Sequence, residues 1–470
     1  MEGNAVRLLR DAGENYPAWL EAISRAERFV YFESYILRDD VSGRRFADAL
    51  KAKAGEGVPV YLLYDWIGAL GKTSARFWAS LRAAGIEVRS FNAPRLSSPL
   101  GWIQRNHRKS IVVDGRIAFV TGLCVGDDWV GDPERGIAPW RDTGIEVRGP
   151  AVVEVEAAFA RMWALTGPPI PAVEGRSVAG PKPAGEVAMR IVASEPNQAG
   201  LLRVDQLVAA AARESLWLTD AYYAGAPSHA QALRSAARDG VDVRLLVPGT
   251  TDIPIVRPLS RAGYRSLLEA GVRIFEWNGT MLHSKTAVAD MRWSRVGSTN
   301  LNLASWLTNY ELDALIENEG FAEVMSRQYL EDLDNATEVL LRAGRRRAAE
   351  PEGHADTAAP LRPRGKRGGS GGRAAVGALR LGHTVTSAVT SHRALTSQDA
   401  GIVAWAGAAA IVLAIAAVYW PRMLAVPLAI VIAWVGVSLL IRAFRLRRSR
   451  RPDAVLRNPE RPPRGGSPGS

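Results

Sequence analysis

Cysteine is nearly absent from this chain: Cys124 is the only one in 470 residues. A disulfide within the chain is therefore excluded, no thiol-rich metal site can be built, and a reducing cytosolic environment fits. The opening stretch MEGNAVRLLRDAGENYPAWL has no continuous apolar core and carries acids early, so no export signal is expected. Histidine is scarce, at six. Positive charge is missing where the formal +11 would suggest it. From residue 342 onward there are 21 Lys+Arg against 6 Asp+Glu, which leaves 38 against 42, net −4, for residues 1–341. An enzyme acting on nucleic acid would carry its basicity around the catalytic groove, so a near-neutral first part speaks against that class.

What is present begins with two of those histidines. His107, Lys109 and Asp114 repeat far downstream as His283, Lys285 and Asp290. At ordinary composition a histidine meets that pattern by accident roughly once in a thousand, so two matches in six mark a duplication. The β-branched run Ile111, Val112, Val113 predicts a strand, on which His107 and Lys109, two apart, project to one face. Asp114-Gly115 is a tight-turn dipeptide, so the chain is expected to return through residues 116–120 and deliver Thr121, Gly122 and Cys124 near the histidine. In the second copy the return delivers Gly297, Ser298 and Asn300. Glycine there lets backbone N–H groups approach a ligand, and Ser298 and Asn300 add side-chain hydrogen bonds.

These residues resemble the phospholipase D superfamily, whose signature is H-x-K-x4-D followed by Gly-Ser or Gly-Gly and, shortly after, Asn. Within it, Asn106-His107-Arg108-Lys109, Trp140-Arg141-Asp142-Thr143 and Arg148-Gly149-Pro150-Ala151-Val152 look most like bacterial cardiolipin synthases. The likeness covers about residues 29–317. It implies that the two copies face each other across a pseudo-twofold axis, that one histidine attacks phosphorus while the other serves as acid and then base, and that Lys109 and Lys285 neutralise the phosphoryl oxygens. The attacking histidine is expected to be His107, with His283 as acid/base. Asp142 and Glu311 match the carboxylates that orient each histidine, and Thr121, Gly122, Ser298 and Asn300 the phosphate-binding groups. Asp114 and Asp290 belong to the catalytic signature but look structural, holding the turn. Neither a metal nor another cofactor is implied. Cys124 stands where the pattern has Asn, so a poor donor replaces an amide; a packing role and an altered head-group preference are the two readings.

Taken in order, the chain predicts a helix at 15–27, a strand at 28–35, a helix at 44–54 and a strand at 58–64. A helix at 74–84 and a strand at 86–91 follow, an α/β layered pattern. The order recurs: residues 215–220 stand for 30–33, 240–247 for 57–64 and 270–275 for 84–89. Glu33 and Asp220 end equivalent strands, where α/β sites lie, and are candidates for contact with substrate. Trp66, Trp78 and Trp102 read as core or lipid-facing rim. His229, His354, His383 and His392 lack metal-type spacing and are expected to be solvated.

The expected organisation is a first phospholipase D-like domain at 1–166, a Pro- and Gly-rich bridge at 167–185 and a second such domain at 186–341. A basic, disordered linker spans 342–400, since its composition buries too little to fold. Two nearly uncharged runs, 401–420 and 423–441, have the length to cross a bilayer as a helical hairpin. A basic tail follows at 442–470. Arginine clusters at 345–347, 362–367 and 442–451 flank the hairpin while its turn holds one arginine, which places both flanks and the catalytic part on the cytoplasmic face of a bacterial-type inner membrane.

The resemblance thus implies a membrane-anchored phosphatidyltransferase: phosphatidylglycerol enters, glycerol leaves, and a second phosphatidylglycerol takes the phosphatidyl group through a phosphohistidine. A phospholipase D hydrolase would use the same residues with water as acceptor. A nucleic-acid phosphodiesterase is the rival from a different class, opposed by the lipid anchor and the net charge of the catalytic part.

Overall fold

The computed structural model describes residues 1–94, 104–171, 182–253 and 256–341, with isolated positions at 433, 434 and 437. The chain divides into two compact units. The first, Met1–Ala93 with Trp102–Thr390, holds every element below; the second is Pro94–Gly101 with Ser391–Ser470. The hairpin expected at 401–441 lies outside the described residues, among which no helix is long and apolar enough to cross a membrane.

The first half runs β1 (Ala5–Arg10), α1 (Asp11–Ser24), β2 (Val30–Ser34), α2 (Val41–Gly55) and β3 (Val60–Asp65). It continues with α3 (Trp66–Ala69), α4 (Ala75–Ala83), β4 (Glu87–Phe91), β5 (Ser110–Val113), β6 (Ile117–Thr121), α5 (Asp127–Val130), β7 (Thr143–Arg148) and α6 (Val152–Ala164). The second half runs β8 (Ala188–Ser194), α7 (Gly200–Ala211), β9 (Ser215–Thr219), α8 (Pro227–Arg238), β10 (Asp242–Pro248), α9 (Val256–Leu268) and β11 (Arg273–Trp277). It ends with β12 (Thr286–Ala289), β13 (Trp293–Gly297), α10 (Leu303–Leu307), β14 (Glu311–Glu317), α11 (Glu319–Asp334) and β15 (Ala336–Glu338).

Two mixed sheets result. The first has the order β1-β7-β6-β5-β2-β3-β4; the second, read from its β8 edge, is β8-β14-β13-β12-β9-β10-β11, with β15 added beyond β11. The duplication expected from three short sequence matches is therefore a repeated seven-strand topology. Each half has its own outer core, beneath α1 and α2 in the first and beneath α7 and α8 in the second. A third cluster joins Tyr31, Val120 and Phe159 of one half to Val296, Leu312 and Phe321 of the other, so the two sheets share one apolar layer. Non-directional burial of this kind holds the two halves against each other.

The structure departs from the sequence expectations at several points. An unexpected strand, β1, pairs with β7 at the sheet edge. Helix α1 begins at Asp11 rather than near residue 15, because the Asp11 N–H donates to Asp142 O (3.0 Å) and the Asp142 N–H to Asp11 Oδ1 (2.8 Å), a tertiary contact that local periodicity does not contain. The strands after the two histidines begin at Ser110 and Thr286, so His107, Lys109, His283 and Lys285 lie just ahead of them rather than on them. The strand registers pair Glu33 with Ser110 and Thr219 with Thr286, which makes Thr219, not Asp220, the counterpart of Glu33. His229 is not solvated: it is 1% exposed, its ring 5.1 Å from that of Trp306. Trp78 is a core residue stacked on Tyr64 at 3.9 Å, Trp66 is half-buried, and Trp102 lies outside the described residues.

Candidate active site

Each motif begins where its segment has left its own sheet to touch the other half. Asn106 bridges Tyr310, with the His107 N–H donating to Tyr310 O at 2.9 Å. Leu282 bridges Arg141 in the mirror arrangement, with the His283 N–H donating to Arg141 O at 2.7 Å. This exchange of backbone bonds is why the regular strands start late. It also carries the carboxylates across. His107 Nδ1 lies 2.9 Å from Glu311 Oε2, and His283 Nδ1 lies 2.7 Å from Asp142 Oδ2. An ionised carboxylate only accepts, so each Nδ1 carries the proton and each Nε2 keeps its lone pair.

Burial, the largest influence, lowers His107 to about 4 against the pull of Glu311 and with the help of Lys109. His283 is lowered to about 3 by burial and by Lys285. Both imidazoles are thus neutral near pH 7. For Asp142 and Glu311 burial acts upward, yet the facing histidine and lysine outweigh it and hold both carboxyls below their usual range. The lysines are buried, and each ammonium donates to the carbonyl of the histidine two residues before it. Burial and the like charge of Lys109 bring Lys285 down to about 8, opposed by Asp142 and Asp220.

The expected site residues divide between the cavity and its supports. His107, His283, Cys124 and Asn300 line one cavity. Asp114 and Asp290, counted with the catalytic signature, sit at the far ends of β5 and β12 with φ of +56° and +49°. Asp114 accepts from the N–H groups of Glu27, Arg28 and Phe29, and Asp290 from those of Arg213, Glu214 and Ser215. They clamp hairpin turns and do not line the cavity.

Three of the four expected phosphate ligands are occupied elsewhere. The Thr121 N–H donates to Lys109 O and its Oγ1 accepts from the Leu123 N–H (3.0 Å), while the Gly122 N–H donates to Thr143 O (3.1 Å). Ser298 Oγ donates to Glu311 Oε2 (2.6 Å) and accepts from the Leu312 N–H (2.9 Å). Gly122 has a steric role: a Cβ there would lie 2.3 Å from Asp142 Oδ1. Asn300 is 4% exposed and its Oδ1 has no partner among the described residues. Glu33 accepts from Asn106 Nδ2 and Ser110 Oγ, and Asp220 from the N–H groups of Leu301 and Tyr222. Both hold segments of the site without lining the cavity.

The structure adds residues that the sequence reading passed over. Trp129, Trp140 and Tyr222 surround His283 with ring centroids at 5.6, 5.7 and 5.8 Å, whereas Tyr35 is the aromatic neighbour of His107, at 5.0 Å. Trp140 was within reach, two residues before Asp142. Arg38, Lys72 and Arg105 also line the cavity, and nothing in their local sequence marks them.

Comparisons with known proteins agree with this geometry. The family described as "Cardiolipin synthase, PLD-like domain" matches residues 19–129 and 207–333. The chain is 34% identical over 337 residues to a cardiolipin synthase of Alkalihalophilus pseudofirmus, covering 71% of this chain and 67% of the relative. It is 35% identical over 349 residues to cardiolipin synthase A of Pseudomonas fluorescens, covering 72% and 70%. The crystal structure of a phosphatidylserine synthase from Haemophilus influenzae superposes with a TM-score of 0.57 at 13% identity, over 71% of this chain and 87% of that one, a likeness of fold.

Proposed function

Because the chain belongs to the cardiolipin synthase, PLD-like domain family and is a phosphatidyltransferase, we propose that it joins two phosphatidylglycerol molecules, releasing glycerol. The reading is carried by one observation: two buried imidazoles, each fixed at Nδ1 by a carboxylate from the opposite half, open onto a single cavity.

The phosphate of the donor lipid enters beside both rings, and its negative charge favours uptake of one proton by His283. His107 Nε2 attacks phosphorus, the N–P bond forms, the P–O bond to the departing glycerol breaks, and His283 delivers its proton to that oxygen. The hydroxyl of the second lipid then gives its proton back to His283 as its oxygen attacks, and the N–P bond breaks. Lys109 and Lys285 offset the charge that builds on the phosphoryl oxygens, and being fixed in advance they cost no reorganisation at that moment. Attack by His107 follows the resemblance to the superfamily. The apolar runs 401–420 and 423–441 serve as membrane anchor, with the catalytic part on the cytoplasmic side where the arginine clusters lie. Such a tether keeps the site at high effective lipid concentration.

The test supplies the full chain, in vesicles, with labelled phosphatidylglycerol, beside His107→Ala and His283→Ala. Cardiolipin and free glycerol, lost in both variants, are expected, with label trapped on the protein in His283→Ala and absent in His107→Ala. Phosphatidic acid as the sole product would make the enzyme a hydrolase, and absence of lipid turnover would return nucleic acid to consideration.

A further inference from the structure

The histidines and lysines obey the pseudo-twofold relation, but the mouth of the cavity does not. The Arg38 N–H donates to Val125 O (3.0 Å) in the first half as the Ala224 N–H does to Leu301 O (3.3 Å) in the second, so Arg38 and Ala224 stand at matching places. One half presents a guanidinium there and the other only a methyl group. Arg38 passes over Gly126, where a Cβ would lie 2.7 Å from Arg38 Cδ; any larger residue would block its path. Arg38 pairs with Asp128 through one terminal nitrogen, while its Nε is buried with no partner among the described residues.

Lys72 lines the same cavity. Its backbone carbonyl accepts from the Asp39 N–H (3.2 Å), which ties its loop to the one carrying Arg38. Among the described residues no carboxylate forms an ion pair with its ammonium. Burial and then the like charge of Arg38 lower its pKa, with Asp252 and Asp128 among the groups that oppose them. Asp252 is itself engaged by the Tyr222 hydroxyl at 2.9 Å, and Asp128 by Arg38. Two neighbouring cations, half-buried Arg38 and exposed Lys72, stand incompletely paired at the cavity mouth, and a bound anion relieves their mutual repulsion.

The reaction proposed above has a place for such an anion, and the inference rests on that reading. The reacting phosphate sits on the histidines and lysines. The acceptor lipid brings a second phosphodiester at the far end of the same glycerol whose hydroxyl attacks; it does not react and stays in the product. The donor has no such group. The geometry points to Arg38 and Lys72 as the subsite for this retained phosphodiester of the acceptor, Lys72 as a point charge and Arg38 through its unpartnered Nε–H. The subsite selects an anionic lipid as acceptor over a neutral alcohol and fixes which half of the cavity the acceptor occupies.

The test is a competition between acceptors. The full chain in vesicles of labelled phosphatidylglycerol is given 1-butanol as a neutral acceptor, and cardiolipin and phosphatidylbutanol are measured together. Lys72→Gln lowers the ratio of cardiolipin to phosphatidylbutanol about tenfold, the size of one lost charge-assisted hydrogen bond, and Lys72→Arg restores it to within a few-fold. A ratio unchanged in Lys72→Gln, with both products formed, overturns the subsite and leaves the transferase reading standing. Wild-type protein that makes phosphatidylbutanol but no cardiolipin overturns the proposed joining of two phosphatidylglycerol molecules, and the subsite with it.

Discussion

His107 Nδ1 and Glu311 Oε2 stand 2.9 Å apart although 204 residues separate them in the chain. The carboxylate fixes the tautomer and the direction of the ring, and Ser298 Oγ and Asn309 Nδ2 in turn hold the carboxylate, at 2.6 and 3.1 Å. Glu311→Gln keeps the shape but removes the charge and lets an amide N–H face Nδ1. The expected result is a loss of about a hundredfold or more in kcat, with the circular dichroism spectrum retained. A kcat within threefold of wild type would remove Glu311 from the orienting role.

Gly122→Ala tests the mirror pair without touching either partner. Its added methyl would meet the Asp142 carboxylate, which receives His283 Nδ1–H at 2.7 Å and the Trp129 indole N–H at 3.1 Å. Displacing that carboxylate misdirects His283, and misplacement by about an ångström costs on the order of a hundredfold in rate. The measurement is kcat beside Tm, and the rate is expected to fall far more than the loss of stability accounts for.

Cys124 and Asn300 occupy matching places after β6 and β13 and both line the cavity. An amide donates a hydrogen bond to phosphate and a thiol does so poorly. Asn300→Ala is therefore expected to lower kcat/KM by about tenfold or more, and Cys124→Ala by less than threefold. Equal losses in the two variants would show that the thiol takes part in binding.

His229 supplies a pH test away from the chemistry. Burial is the main reason that its pKa falls from 6.5 to about 4, with Asp205 opposing and Arg295 assisting. The unfolded chain binds a proton there more readily than the folded one, so stability is lost as pH falls from about 6.5 towards 4 and is unaffected above that window. Strand register, Val60 beside Val30 and Val243 beside Leu216, makes His229 on α8 the equivalent of Phe46 on α2, so His229→Phe is the natural replacement. Between pH 7 and pH 5 the variant is expected to gain about 2 kcal/mol relative to wild type, read from urea midpoints at the two pH values. A constant difference across that range would mean that His229 is not held neutral by the fold.

Much of this protein is written locally. Alternating apolar runs, Gly-Val junctions and the Asp114-Gly115 turn are short-range signals, and they place β2 to β6 and β9 to β13 to within a few residues because pleat, helix period and turn chemistry act between near neighbours. The duplicated His-x-Lys-x4-Asp pattern likewise identifies the reacting side chains on sequence grounds, since function repeats the residue types themselves. Tertiary structure decided the rest. Which carboxylate serves which histidine, the engagement of Thr121, Gly122 and Ser298 as supports, the burial of His229 and the cations Arg38 and Lys72 at the cavity mouth all depend on two sheets docking face to face. That docking is fixed by the shared apolar layer of Tyr31, Val120, Phe159, Val296, Leu312 and Phe321, contacts between residues far apart in the chain that no local period encodes.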